Sequence, residues 1–310
     1  NFTLEDKSLI NYMLAKHEQK KNNINKEIKF LNKAHELNFR CRQKYNLNLT
    51  KYYINFLPKN FDKIDFSNEI EFSSNENKKS PIFIIGLPRS GSTLIESLLS
   101  QNKEKFYSYG ESGVFNNSIS DQIIDKPINT NRKFEIDIKK IDNSVKKIYD
   151  YSKEKNFIDK SLENFFYIDL ILKIFPNAKF IHTFRNRFDA AIAIYQSMLM
   201  YLPWAHSLNN ILIYILNYER IIKYFKEKYP EKILNIHLEE FTSSPKYLTK
   251  KIFSFCNLDW NDNVFEFYKS KNISSKSSSF LQIRSKIHKY ETNKYKSYYN
   301  LILKNKEIKF

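Results

Sequence analysis

An α/β domain with a mainly parallel sheet, preceded by a helical hairpin, is the fold class this sequence predicts, and three observations carry the prediction. A wholly apolar segment, Ile82 to Ile85, runs into a glycine turn and then into a helical pattern from Ser92. Strand-like segments recur at Ala178–Phe184 and Ile233–Leu238, with long helical patterns at 189–201 and 208–228. Residues 4–37 carry apolar side chains at helical spacing on two successive segments. Short apolar strands alternating with helices pack economically as three layers, the sheet buried on both faces.

The hairpin comes first, its helices joined near Asn22 and Asn23. Leu9, Met13 and the stem of Lys16 lie on one side, and Ile24, Ile28, Leu31, Ala34 and Leu37 follow at helical spacing. The second helix resembles the second helix of a tetratricopeptide repeat, although Asn22 stands where that repeat favours glycine. One such unit cannot stack into a solenoid, so it reads either as the last of an array or as a cap on the main domain. With a connecting helix this region spans 1–57; the polar stretch 58–80, with Pro58 and the run Ser73 to Ser80, is the expected linker, and 81–310 the main domain. There, Ile82 to Ile85 reads as a doubly buried strand, and Thr93, Leu94, Ile95, Leu98 and Leu99 supply the apolar face of the next helix. Asp169 to Phe175 has helical spacing, Pro176 and Asn177 stop it, and the strand from Ala178 ends at Arg185.

The chain has 310 residues, 42% of them apolar, enough for a sizeable core. Its formal charge of +17 calls for anionic partners, although abundant Lys, Asn, Ile, Phe and Tyr beside scarce Ala, Gly and Pro also fits an A/T-rich coding sequence. Lysines are spread along the chain without a basic arm, zinc-finger spacing or aromatic–basic RNA motif, so no nucleic-acid partner is expected. Two distant cysteines, Cys41 and Cys256, make no disulfide framework and point to a reducing, cytoplasmic compartment. The six histidines lack ligand-like spacing, and no metal is expected. No run of 18 apolar residues occurs that would predict a membrane span. The sequence starts at Asn1 without a methionine, which leaves a preceding segment open.

All 4 glycines lie between Gly86 and Gly113, whereas average usage of about 7% would place roughly twenty in a chain of this length. Glycine kept so selectively marks backbone that turns sharply or meets a ligand closely. In Gly86 Leu87 Pro88 Arg89 Ser90 Gly91 Ser92 Thr93, successive N–H groups lead into a helix N-terminus and form a cradle for phosphate. Arg89 adds charge, and Ser90, Ser92 and Thr93 add hydroxyl donors. The plain alternative is an ordinary strand-to-helix turn. The loop is P-loop-like but lacks the G-K-[ST] ending of an ATPase, which favours a nucleotide site that needs no metal.

This loop resembles the 5′-phosphosulfate loop of the sulfotransferase family. Tyr109 Gly110 Glu111 resembles the Gly-Glu segment of tyrosylprotein sulfotransferases and of bacterial sulfotransferases fused to tetratricopeptide repeats. Asp159 Lys160, ahead of Asn164, resembles the Asp-Lys-x-Pro-x-Asn segment with Leu162 in the proline position. Phe175 to Asn186 is similar to the Phe-Pro-Asn-Ala strand that ends in the 3′-phosphate arginine. Ser277 Ser278 Ser279, then Gln282 Ile283 Arg284, resembles the C-terminal Thr-Ala-Ser-x-x-Gln-Val-Arg signature, with Lys294 and Tyr295 near the family's basic residue and tryptophan.

The resemblance implies sulfuryl transfer from 3′-phosphoadenosine 5′-phosphosulfate to an acceptor hydroxyl, a peptide tyrosine or a glycan. It implies that Arg89, Ser90, Gly91, Ser92 and Thr93 hold the 5′ side, and Arg185 with Arg284 the 3′-phosphate. Glu111 becomes the candidate general base, and Lys160, with Arg89, the candidate for neutralising charge on the transferring group. Ala193 departs from the pattern, because the family has a phosphate-binding serine eight residues after the strand-end arginine, and Arg187 replaces the usual proline. Arg187 or Arg284 is a candidate to offset that loss. His206 is the second choice for a site role, whereas His182 and Trp204 read first as packing residues. Two other classes stay open: a P-loop nucleotide phosphotransferase, and a non-catalytic interaction protein with a decayed site.

Overall fold

The structure, a computed structural model, describes residues 2–65, 79–123, 134–149, 155–269, 285–291 and 294–303. Its main helices are α1 (Leu4–Lys20), α2 (Ile24–Cys41), α3 (Gln43–Lys51), α4 (Ser92–Leu99), α5 (Val114–Ile123), α6 (Ile138–Ile148), α7 (Ile168–Ile174), α8 (Arg187–Gln196), α9 (Leu208–Lys228), α10 (Leu238–Ser243), α11 (Pro245–Phe255) and α12 (Tyr299–Leu303). The main strands are β1 (Ile82–Gly86), β2 (Phe106–Ser108), β3 (Asn156–Asp159), β4 (Lys179–Phe184) and β5 (Ile233–His237). The chain forms two compact units: Asn1–Lys59 with Asn186–Arg220 and Thr292–Phe310, and Asn60–Arg185 with Ile221–Glu291.

The second unit is built on a parallel sheet in the order β2-β3-β1-β4-β5. Every residue of β1 is buried, as its unbroken apolar run predicts. Strand alternation sends Ile82 and Ile84 into a cluster with Ile95, Leu98, Phe241 and Ile252. Phe83 instead meets an aromatic cluster of Phe115, Phe157, Phe175 and Phe180. Gly86 pairs with Thr183 and Phe184 with His237, so these strands deliver their carboxyl ends to one edge, where parallel α/β sheets bind ligands.

The opposite edge explains part of the lysine excess. A cavity of about 820 Å³ there is lined by Lys105, Lys155, Lys179 and Lys232 among others. Lys179 Nζ donates to the carbonyl of Phe255, the last residue of α11, at 2.5 Å. Lys232 Nζ donates to the Pro176 carbonyl just after α7 at 2.8 Å, and Lys155 Nζ to that of Lys103 at 2.8 Å. The Lys179 ammonium thus complements the last carbonyl and negative dipole end of α11.

In the first unit Thr3 and Asp6 form a capping box that starts α1. Helix α2 buries Leu31, Ala34 and Leu37 in line with their spacing, whereas Leu9 and Met13 of α1 are exposed. Close approach of the two helices falls to the small residues Ser8 and Ala15, with Ser8 Oγ donating to the Ala34 carbonyl at 2.8 Å. The buried Glu27 carboxylate accepts from Gln19 (2.9 Å), Gln196 (2.8 Å) and the Tyr298 hydroxyl (2.6 Å), and burial still raises its pKa. The helix expected over 189–201 starts at Arg187 and ends at Gln196, and Met198 then takes a left-handed φ of 47°. No helix among the described residues is long and apolar enough to cross a membrane.

Candidate active site

The glycine-bounded turn leaves β1 as the sequence predicts. Gly86 has φ 146°, and a Cβ there would lie 2.2 Å from the Thr183 carbonyl oxygen on β4. Arg89 itself adopts a left-handed φ of 66°, and Gly91, at φ 88°, is the N-cap of α4. Ser90, Ser92 and Thr93 are all buried. Ser90 Oγ has no hydrogen-bond partner among the described residues. A desolvated hydroxyl just ahead of a helix N-terminus fits an anion as the missing partner.

Arg185, directly after β4, belongs to the same constellation. Its guanidinium donates to the Arg89 carbonyl at 3.0 Å and to the Tyr290 hydroxyl, and its central carbon lies 4.6 Å from the Tyr290 ring centroid. Tyr290 is anchored in turn by its N–H to Thr242 Oγ1 at 3.1 Å.

At the ends of β2 and β3 lies a second group of charges. The Lys160 ammonium, almost fully buried, donates to Glu111 Oε1 at 2.5 Å and stands 3.7 Å from Glu96 Oε2. Glu111 keeps 56% of its side chain exposed, so the pair joins an enclosed cation to an accessible carboxylate. The preceding Asp159 is fully buried and accepts from Ser112 Oγ, the Tyr149 hydroxyl (2.8 Å), the Ser161 N–H (2.8 Å) and Asn164 Nδ2 (3.0 Å). Those bonds explain the Asp-Lys…Asn spacing: the aspartate pins the turn that presents Lys160. Burial raises the pKa values of Asp159, Glu96 and Glu163, with hydrogen bonds and the Lys160 charge opposing it.

The sequence-predicted residues thus gather in two linked groups. Arg89, Ser90, Gly91, Ser92, Thr93 and Arg185 form one; Lys160 and Glu111 form the other, joined to it through Glu96 on α4. Arg284, with Ser277, Ser278, Ser279 and Gln282, lies outside the described residues. His182 is a packing residue: its Nδ1 meets Asn235 Oδ1 at 3.0 Å and burial lowers its pKa to about 4. Within the first unit, His206 Nδ1 meets His35 Nδ1 at 3.0 Å, and Trp204 stacks on Tyr214 with centroids 3.8 Å apart. Arg187, a candidate to replace the absent serine hydroxyl, is engaged in a two-point pair with Glu219 at 3.0 and 2.5 Å.

Sequence reasoning passed over Glu96, Ser108 and Tyr290. Glu96 had a signal, being the one charged side chain of α4. Ser108 and Tyr290 had none, because only the fold brings them to the site.

A phosphate-loop-like turn at the carboxyl edge of a parallel sheet, beside a buried lysine–carboxylate pair, is the architecture of a group-transfer domain. The chain belongs to the sulfotransferase family, whose model matches residues 81–262. A protein of Aquifex aeolicus (strain VF5), described only as uncharacterised, is 29% identical over 238 residues; they make up 71% of this chain and 31% of that protein. The chain therefore spans about a third of that relative's length. Among solved structures, the sulfotransferase domain from the Synechococcus PCC 7002 olefin synthase superposes with a TM-score of 0.53 at 17% identity, covering 74% of this chain and 92% of that domain. At that identity the likeness bears on the fold.

Proposed function

We propose that the protein transfers a sulfuryl group from 3′-phosphoadenosine 5′-phosphosulfate to an acceptor hydroxyl on a peptide tyrosine or a glycan. The observation that carries this reading is the orphaned Ser90 hydroxyl, in a loop that has no lysine of its own, while a buried ammonium, that of Lys160, reaches the helix after the loop through Glu96. In this reading Arg89, Ser90, Gly91, Ser92 and Thr93 hold the 5′ side of the donor. Arg185, with Arg284, takes the 3′-phosphate through charge-assisted hydrogen bonds. The donor supplies an activated sulfuryl group whose bond to the 5′-phosphate breaks as the acceptor oxygen bonds to sulfur. Glu111 accepts the acceptor's proton, which its partial exposure supports. Lys160 and Arg89 neutralise charge on the sulfuryl oxygens and the departing phosphate. The free thiols of Cys41 and Cys256 support a reducing, cytoplasmic setting.

Calorimetric titration with adenosine 3′,5′-bisphosphate and adenosine 5′-monophosphate tests the donor assignment. Wild type should prefer the bisphosphate, and Arg185→Ala should shrink that preference by about 1.5–3 kcal/mol. Labelled-sulfate transfer to a mixed peptide and glycan pool then tests the chemistry, with Glu111→Ala losing turnover but keeping nucleotide binding. Equal affinity for the two nucleotides overturns the donor, Mg²⁺-dependent turnover of ATP favours a phosphotransferase, and failure to bind either nucleotide favours an interaction protein.

A further inference from the structure

Glu96 is a buried carboxylate that the proposed chemistry does not use, and it sits on the helix that leaves the phosphate loop. Its position is costly, since an ionised carboxylate in the interior gives up hydration. Its contacts run to both Ser108 and Lys160, which link it to the rest of the charged group. Oε1 accepts from Ser108 Oγ, at the end of β2, at 2.6 Å. The same Ser108 oxygen accepts from the Gly110 N–H at 3.2 Å, and the Gly110 carbonyl accepts from the Lys160 N–H at 2.7 Å. Oε2 faces the Lys160 ammonium at 3.7 Å, and that ammonium holds Glu111 at 2.5 Å. Gly110, at φ 60°, turns the chain past the carboxylate, where a Cβ would sit in ordinary contact with Glu96 Oε1 at 3.9 Å.

We infer that Glu96 is a positioning residue for the transfer, holding the Lys160 ammonium and the Gly110–Glu111 turn in fixed register with the phosphate loop. The inference rests on the sulfuryl-transfer reading for its catalytic consequence, but not for its structural one. Glu96 acts through two arms. The charged arm runs to Lys160 and the neutral arm through Ser108 to the Gly110 amide. The ionisable groups that act on it are Lys160, Glu111 and Asp159. The arrangement accounts for a feature otherwise unexplained, a carboxylate kept on an α4 whose other members are apolar or hydroxylated.

Three variants separate the arms. Glu96→Gln keeps shape and an acceptor for Ser108 but removes the charge, Ser108→Ala cuts the neutral arm, and Glu96→Ala removes both. All three should bind adenosine 3′,5′-bisphosphate within about threefold of wild type, because none alters the loop that holds it. Glu96→Gln should lower kcat on the order of 10²-fold with KM little changed, as expected when reacting groups shift by about an ångström. Its pH–rate profile should move to lower pH, because removing one negative charge lets the remaining groups lose protons more readily. Ser108→Ala should lower kcat without moving that profile. Amide hydrogen exchange across residues 106–112 should quicken in Ser108→Ala and Glu96→Ala. If wild type transfers no sulfuryl group, the sulfuryl-transfer reading fails by itself, and the exchange measurement still decides the positioning role. Wild-type exchange rates in both variants, or a Glu96→Gln enzyme with wild-type kcat and an unmoved profile, overturn the inference.

Discussion

Replacing each of two glycines by alanine should cost very different amounts, and the difference isolates what holds the phosphate loop in place. Both Gly86 (φ 146°) and Gly110 (φ 60°) use backbone conformations that disfavour a side chain. That strain costs about 1–2 kcal/mol at the left-handed Gly110 and about 1–3 kcal/mol at Gly86, whose φ is essentially reserved to glycine. Space separates them. At Gly110 the added Cβ would meet nothing closer than 3.9 Å, so the backbone cost is the whole cost. At Gly86 it would lie 2.2 Å from the Thr183 carbonyl oxygen, a main-chain atom of the paired strand β4. Relief there requires β1 and β4 to part at the point where Arg185 leaves the sheet, adding about 1–3 kcal/mol for overpacking. Gly86→Ala should therefore lose roughly 2–6 kcal/mol and Gly110→Ala about 1–2 kcal/mol. Urea unfolding with an unchanged m-value reads both. Gly86→Ala should also weaken binding of adenosine 3′,5′-bisphosphate, since the loop and Arg185 share that strand junction. A Gly86→Ala variant no less stable than Gly110→Ala refutes the steric argument.

Ser90→Ala should leave the unliganded protein as stable or slightly more stable, because it removes a buried hydroxyl that has no partner, yet weaken the bisphosphate by about 1.5–3 kcal/mol; thermal melts with and without nucleotide show both signs together. Burial keeps His182 neutral, with its pKa lowered from 6.5 to about 4, so its contribution to stability is present above pH 6.5 and lost as pH falls towards 4. The loss should reach about 3 kcal/mol by pH 4, and His182→Asn should flatten that part of the stability–pH curve. His35, lowered to about 3, and His206, lowered to about 4, add slopes of the same sign in the first unit. Arg187→Ala should cost no more than about 1 kcal/mol, falling towards zero at high salt, because the Arg187–Glu219 pair is partly exposed. A larger, salt-insensitive loss by urea unfolding would contradict that.

Much of the fold was legible because the decisive segments are long or sharply bounded. The pattern predicted at 208–228 is α9 residue for residue, and the apolar run Ile82 to Ile85 is β1 with one glycine added. Strands β2 and β3 went unread, being only 3 and 4 residues long. Too short for a period-two pattern to emerge, they are defined by the ladder neighbours that pair with them. Ends misread elsewhere have local causes. Helix α8 stops early because Met198 goes left-handed, and β5 stops at His237 because Leu238 already opens α10.

The candidate site divides along the same line. Its loop is local, so glycine placement alone exposed it; Gly91 is favoured because its φ of 88° would strain a side chain, with the tip of Leu238 a lesser obstacle at 2.7 Å. Lys160 and Glu111 are 49 residues apart and share no local pattern, so only family resemblance could link them beforehand. The link is made by sheet order. Because β3 lies between β2 and β1, the chain leaving β2 through Gly110 must pass the end of β3, where Lys160 stands, while α4 descends from β1 beside both. Once that order is adopted, a carboxylate one turn into α4 faces both the Ser108 hydroxyl and the Lys160 ammonium, and the glutamate at position 96 ceases to be an anomaly in an apolar helix.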